Sequence, residues 1–321
     1  MAPDGVVSGH RGGGGHLPAG RLEAILRRGD FAITAETTPP DAAAAGPVLE
    51  RVAPLRDVVD AINVTDGAGA RAHMSALACA AILARDGIEA VLQITARDRN
   101  RLAIQGDLIG AGALGIANIL CLHGDDPGAG DQPDTKPVHD LDSREIMATA
   151  RALRAGALPG GRPVEPPPRL FIGAADSPRE TPADWEPAGV LAKIEAGADF
   201  FQTQYCFDMA VLRQYLARLG DHGVFDRAYF LIGIGPLVSA RMARWMNDNL
   251  FGVSVPEAVI RRLDGAADQR AEGLDICVEW LDELRSIDGV AGVHMMAPRQ
   301  EREIATVIER SGILAERQTV V

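Results

Sequence analysis

The chain has 321 residues, 47% of them apolar, enough to bury a large core and to exclude an intrinsically disordered protein. A net charge of −12 with no basic run speaks against a nucleic-acid partner, and no apolar run reaches the roughly 18 residues of a membrane span. Aromatics make up only 4%, so the core must be built from Ala, Val, Ile and Leu. Cys79, Cys121, Cys206 and Cys277 show no CxxC spacing and sit mostly in apolar runs. They are expected to be buried free thiols in a reducing cytoplasm, not disulfides or a zinc site.

Residues 1–22 read as a disordered Gly/His-rich tail with no apolar segment of the signal-peptide kind, leaving 23–321 as a single catalytic domain. Metal capture by His10 and His16 is the minor alternative. From Phe31 onward, short apolar segments alternate with Ala/Leu-rich amphipathic ones. Strands are predicted over 31–36, 58–65, 90–95, 117–122, 169–174, 199–204, 227–234 and 290–294. Helices are predicted over 42–54, with Asp41 as cap, then 72–85, 99–113, 143–154 with Ser143 as cap, 187–196, 208–219, 239–246 and 299–309. An extra helical pair fills 255–285, before the last strand. Eight right-handed βα units with no break in composition predict an α/β fold, a (β/α)8 barrel. The alternative is an open doubly wound sheet, disfavoured because no GxGxxG follows the first strand.

In such a barrel the ligand site lies at the carboxyl ends of the strands. The residues there are Glu36, Thr65 with Asp66, Gln93 with Thr95 and Arg97, His123 with Asp125, Ala174 with Asp176, Gln204, Gly235, and His294 with Arg299. Almost all are polar, as a small-molecule site requires. Ile119-Leu120-Cys121-Leu122 runs into His123-Gly124-Asp125-Asp126-Pro127, a buried strand that delivers a carboxylate to that edge; Gly-Asp-Asp-Pro reads equally as a surface turn. The following loop, to Pro137, is too long for a plain connector and suits a lid or clamp. Glu36 and Asp125 form a carboxylate pair suited to acid/base work, with Glu36 the general acid, since burial favours the protonated form of a carboxyl group. Gly67-Ala68-Gly69-Ala70 would let a phosphate or flat ring approach the backbone. Arg97-Asp98-Arg99-Asn100-Arg101 reads either as a pyrophosphate clamp or as a mutually paired charge run. Gln204 suits the edge of a pterin-like heterocycle, and His294 reads as a core histidine.

Four motifs occur in order: Ala35-Glu36-Thr37-Thr38-Pro39-Pro40, Asn63-Val64-Thr65-Asp66-Gly67-Ala68, His123-Gly124-Asp125-Asp126-Pro127 and Gln202-Thr203-Gln204-Tyr205-Cys206-Phe207-Asp208. Together they resemble the methylenetetrahydrofolate reductase family, from about residue 31 to 313. Thr95 to Arg101 and Asp140-Leu141-Asp142-Ser143 are similar to the branch found in acetogens and in proteins fused to homocysteine methyltransferases. The resemblance implies a flavoprotein that uses FAD and NADH or NADPH to reduce 5,10-methylenetetrahydrofolate to 5-methyltetrahydrofolate. The two substrates would alternate on the flavin in one-carbon metabolism and methionine biosynthesis; the oxidative direction stays open. Glu36 would be the general acid, and Asp125 would contact the pterin and lie near the flavin. Gln204 and Arg299 would bind folate; Thr65, Gln93, Arg97, His123, Gly124 and Lys193 would serve the flavin. Asp66, Gln93 and His123 stand where enteric-type members carry Tyr, His and Arg, so the flavin shell is altered while Glu36 and Asp125 are retained.

A soluble cytoplasmic homo-oligomer is expected, with neither membrane nor nucleic acid as partner and with a partner subunit as an option. The competing readings are a flavin-free or partner-dependent folate-binding reductase subunit and a pterin-linked methyltransferase barrel.

Overall fold

Eight short runs rich in Val, Ile, Leu and Phe form the strands β1 (Ala32–Thr37), β2 (Ala61–Val64), β3 (Ala90–Thr95), β4 (Asn118–Leu122), β5 (Phe171–Asp176), β6 (Phe200–Tyr205), β7 (Tyr229–Ile234) and β8 (Val290–Met295). The structure, a computed structural model, describes residues 17–182 and 184–318; His10 and His16 lie outside them. All eight strand pairs are parallel, and the sheet closes when β8 joins β1 through Ala32↔Gly292, Ile33↔Val293 and Thr34↔His294. This is the (β/α)8 barrel expected of the sequence. Among the described residues no helix is long and apolar enough to cross a membrane.

Ahead of the first strand lies α1 (Arg21–Arg28), and the outer layer follows as α2 (Gly46–Val52), α3 (Ala76–Arg85), α4 (Arg101–Ala113), α5 (Ser143–Arg154), α6 (Ala188–Ala196), α7 (Met209–Asp221), α8 (Ala240–Asn249), the additional pair α9 (Glu257–Gly265) and α10 (Gln269–Leu284), and α11 (Glu301–Arg310). Side-chain caps fix several starts. Ser75 caps α3, Asn100 caps α4, Asp208 caps α7 and Asp268 caps α10. The cap of α5 is Asp142, which with Glu145 forms a reciprocal capping box; Ser143, the expected cap, is the first helical residue. Asp41 caps nothing. The chain from Asp41 bends until Pro47 enters the first turn of α2, and the Asp41 carboxylate instead meets Nδ1 of His73 at 2.7 Å.

The expected tail ends too late, because Arg21 and Leu22 already belong to α1, which plugs the barrel's amino-terminal end. Leu22, Ile25 and Leu26 are buried against Ala32, Ala61, Val91, Leu120, Phe171, Phe200 and Leu231, the lowest interior layer. Each such side chain contributes roughly 1.5–3 kcal/mol when fully buried. Gly20 offers no side chain to cap the helix, so Glu89 does so from the α3–β3 connection. Its carboxylate accepts the N–H groups of Arg21 at 2.7 Å and Leu22 at 2.8 Å. With α1 packed on the amino-terminal end, the carboxyl ends of the strands are the mouth of the barrel among the described residues. The four cysteines are buried and free, as expected; burial pushes the Cys79 and Cys206 thiols up to about 12.

Candidate active site

Side chains alternate along a strand, so in a barrel every second residue points inward. On β1 the inward series is Ala32, Thr34 and Glu36, climbing from the floor to the mouth. Glu36 is half-buried. Its Oε2 accepts a hydrogen bond from Nε2 of Gln93 on β3 at 2.9 Å, and Nε2 of His294 on β8 lies 3.7 Å from the same oxygen. Oε1 has no hydrogen-bond partner among the described residues. Tyr205, at the end of β6, is close enough that Glu36 adds to the effect of burial in pushing its hydroxyl up.

Directly beneath Glu36 the interior is polar rather than aliphatic. Thr34, Asn63, Gln202 and His294 are buried and joined across four strands. Asn63 Nδ2 donates to Gln202 Oε1 at 2.6 Å, and Gln202 Nε2 donates to Asn63 Oδ1 and Thr34 Oγ1, both at 3.0 Å. Thr34 Oγ1 lies 3.0 Å from His294 Nδ1. The core histidine expected from the sequence is therefore also a neighbour of Glu36. The sequence reading passed over Thr34, Asn63 and Gln202 as candidates. Their signal was present as polar residues at every second position of strands that are buried throughout.

The mouth is built by three loops tied together. Asp66 follows β2 and is buried; its Oδ2 accepts the N–H and hydroxyl of Thr95, both at 2.9 Å, and Nη1 of Arg99 at 2.6 Å. Arg97, also buried, donates to the carbonyls of Gly67 and Asp125, each at 3.2 Å, and forks onto Asp98, which raises its already high pKa. Arg101 pairs with Asp140. Of the two readings of the Arg97–Arg101 cluster, the paired run is the one present: each guanidinium already holds a carboxylate. Arg97 consequently reaches the mouth as a strut between loops.

Gly67-Ala68-Gly69-Ala70 forms a 3-10 turn, and the anion its backbone receives is the protein's own. Gly69 N–H donates to Asp125 Oδ2 at 2.7 Å. Asp125 is otherwise exposed, and its Oδ1 has no hydrogen-bond partner among the described residues. Gly124, before it, has φ of +97°, and a Cβ there would stand 2.7 Å from Cβ of Arg97, so only glycine fits this turn. The long β4–α5 loop is held down by Val138 N–H on the Arg97 carbonyl at 2.7 Å. It is also held by His139, whose ring stacks on exposed His123 at 4.3 Å. A cavity of about 330 Å³ opens beside these loops, walled by Asp66, Arg71, His73, Ser75, Arg97 and Arg99; Glu36 is not among its walls.

The remaining candidates divide. Thr65 Oγ1 is buried at the end of β2 without a hydrogen-bond partner, an orphan that suits a ligand's polar edge. Gln204 sits half-buried at the end of β6, its Oε1 taking the Tyr205 N–H at 2.9 Å. Arg299 is exposed in the left-handed region, φ +63°, two residues before α11 begins, and its guanidinium has no partner among the described residues. The expected helix start at Arg299 thus yields to a turn that presents the side chain. Lys193 lies on α6, outside the strand barrel, and its Nζ donates to the Ala175 carbonyl at 2.6 Å. Burial lowers its pKa, opposed by Asp176, whose own carboxyl is pushed up by burial against the hydrogen bond from Tyr215.

Three comparisons bear on this geometry. A protein named Methylenetetrahydrofolate reductase 2, from Schizosaccharomyces pombe, is 27% identical over 271 residues. That match takes in 79% of this chain and 41% of the relative, so the chain spans less than half the length of the curated relative it matches. A solved structure described as an uncharacterized protein from Clostridium thermocellum that binds two copies of 5-methyl-5,6,7,8-tetrahydrofolic acid superposes with a TM-score of 0.66 at 13% identity, over 91% of this chain and 99% of that one, a likeness of fold. Residues 21–312, from the plugging helix to the end of α11, match the family described as Methylenetetrahydrofolate reductase, and the chain belongs to that family.

Proposed function

We propose that the chain reduces 5,10-methylenetetrahydrofolate to 5-methyltetrahydrofolate, with FAD as the redox group and NADH or NADPH as co-substrate in a ping-pong cycle. The observation that carries this reading is Glu36: a carboxyl group at the carboxyl-end mouth of the barrel, steadied through Oε2 by Gln93, with Oε1 left without a hydrogen-bond partner among the described residues. Family membership, the name of the fission-yeast relative and the folate described in the Clostridium structure all support it.

In this reading Glu36 gives its proton to the ring nitrogen that leaves when the five-membered ring of the substrate opens. Asp125 Oδ1 and the Gln204 amide hold the pterin, and Arg299, exposed and without a partner among the described residues, meets the anionic tail of the folate. The residues fit a flavin in part. Orphaned Thr65 Oγ1, exposed His123 and the close backbone at Gly124 suit a flat ring with polar edges. Gln93, Arg97 and Lys193 have donors engaged within the protein and serve by holding Glu36, the loops and the end of β5 in place. The flavin, when bound, supplies hydride transfer between nicotinamide and folate. The four buried free thiols support a cytoplasmic location.

The test is one anaerobic cuvette. Protein reconstituted with FAD should lose its flavin absorption band on addition of NADH or NADPH and regain it on addition of methylenetetrahydrofolate. A protein that takes up no FAD would instead direct attention to the flavin-free or partner-fed alternative. Methyl transfer from methyltetrahydrofolate without any redox partner would support the methyltransferase reading.

A further inference from the structure

Barrel interiors are ordinarily filled by layers of branched apolar side chains. Here the layer under Glu36 consists of Thr34, Asn63, Gln202 and His294, and its hydrogens can be followed one by one. The Gln202 amide nitrogen has Asn63 Oδ1 and Thr34 Oγ1 at 3.0 Å and His294 Nδ1 farther off at 3.4 Å, and its two hydrogens go to the two nearer atoms. Thr34 Oγ1 therefore receives a hydrogen and has its own to give, with Val293 O at 3.2 Å and His294 Nδ1 at 3.0 Å in reach. The nearer acceptor is the imidazole. With Nδ1 accepting, a neutral ring carries its hydrogen on Nε2, the atom that faces Glu36 Oε2 at 3.7 Å.

We propose that His294 is a positioning residue for Glu36, its Nε2–H and the Gln93 amide both directed at Oε2, so that the transferable proton is carried on Oε1. This rests on the reading of Glu36 as the acid in folate reduction. When Oε1–H breaks and the proton passes to the leaving nitrogen, the negative charge left on the carboxylate is met by two N–H donors. The 3.7 Å separation is one that catalytic contacts close when substrate binds. Buried Thr34, itself held by Gln202 and Asn63, fixes the ring's tautomer as second partners of catalytic histidines do. The titratable groups that face Glu36 among the described residues are His294 from β8 and Tyr205 from β6; Asn63 of β2 and Gln93 of β3 are neutral. Glu301 of α11 is held by Thr37 on the opposite face of β1, at 3.0 Å.

Two substitutions separate the roles of the ring nitrogens. His294→Asn keeps a polar atom near Nδ1 for Thr34 and removes the donor to Glu36; His294→Gln keeps a donor near Nε2. A donor to a carboxylate favours its charged form, so its loss makes the acid hold its proton to higher pH. In His294→Asn the pH above which the folate half-reaction slows should rise by about one unit and the rate plateau should fall about tenfold, with KM for folate little changed. His294→Gln should return the profile to that of the parent. A His294→Asn profile superimposable on the parent's would overturn the proposal. A second readout needs neither substrate nor activity: 15N NMR of the histidine-labelled FAD-bound protein should show the His294 ring protonated at Nε2 and bare at Nδ1, and the reverse would overturn it. If the parent failed to reduce methylenetetrahydrofolate, the functional reading would fall while this tautomer measurement still decided the inference.

Discussion

The Gln93 amide crosses from β3 to donate a 2.9 Å hydrogen bond to Oε2 of Glu36 on β1, and both residues point into the mouth of the barrel. A hydrogen bond to a charged group is worth about 1.5–3 kcal/mol. Gln93→Met, which keeps the bulk and removes the donor, should therefore slow the folate half-reaction between about tenfold and a hundredfold. Reduction of the bound flavin by nicotinamide should change little. Stopped-flow measurement of each half-reaction checks this; equal losses in both would mean that Gln93 acts on the flavin.

The loops at the mouth depend on Asp66. It holds the backbone and hydroxyl of Thr95 together with Arg99, in a setting where only 7% of its side chain is exposed. Removing one partner of a buried pair strands the other. Asp66→Ala should cost roughly 3 kcal/mol in urea unfolding, whereas Asp30→Ala, whose pair with Arg28 is exposed, should cost almost nothing.

The floor should matter for stability and not for chemistry. Leu26→Ala leaves a hole where α1 meets Phe171 and Phe200, at a cost of about 2–5 kcal/mol. The melting temperature should fall while KM for folate stays at its parental value, because the mouth lies at the other end of the barrel. A matching rise in KM would show that the two ends communicate.

Acid should loosen the mouth before the barrel. The hydrogen bond from Arg101 holds Asp140 down at about 2, and Arg97 holds Asp98 below the ordinary carboxylate range. A carboxylate whose folded pKa is depressed contributes stability that is complete above its unfolded value near 3.8 and is lost as pH falls through its folded value. Amide hydrogen exchange in the loops after β3 and β4 should accordingly accelerate between about pH 4 and pH 2 relative to the strand amides. Arg101→Gln should remove the part of that acceleration that comes from Asp140. Without the guanidinium the folded and unfolded carboxyl groups titrate alike, and the pair's contribution is already missing at neutral pH.

The periodic part of the architecture was readable, since every strand predicted from an apolar run is present, as is the helical pair before β8. Short amphipathic helices were harder. Leu22, Ile25 and Leu26 carry the i, i+3, i+4 spacing of a buried face, yet three arginines in eight residues, next to a Gly/His-rich segment, masked it. Asp41 is the residue type that caps helices, and its proximity to His73 redirects it, a relationship across 32 residues that no local pattern contains. At the site, Glu36 and Asp125 stood out as carboxylates at strand ends. The layer of Thr34, Asn63 and Gln202 did not, because polar residues at alternate positions ordinarily face water, and only closure of the barrel turns that face inward. Arg97, whose cluster reads either as a pyrophosphate clamp or as a paired run, and Lys193, a flavin residue only through the family resemblance, are engaged by carboxylates and carbonyls that a sequence does not display.

The central claim is that Glu36 supplies the proton for folate reduction and does nothing for the reduction of flavin. Glu36→Gln keeps the size of the side chain and removes its acid. In anaerobic stopped flow, the FAD-bound variant should be reduced by NADH or NADPH at a rate close to the parent's, and should then fail to be reoxidised by methylenetetrahydrofolate. Reoxidation at the parental rate would contradict the account and remove Glu36 from the reaction.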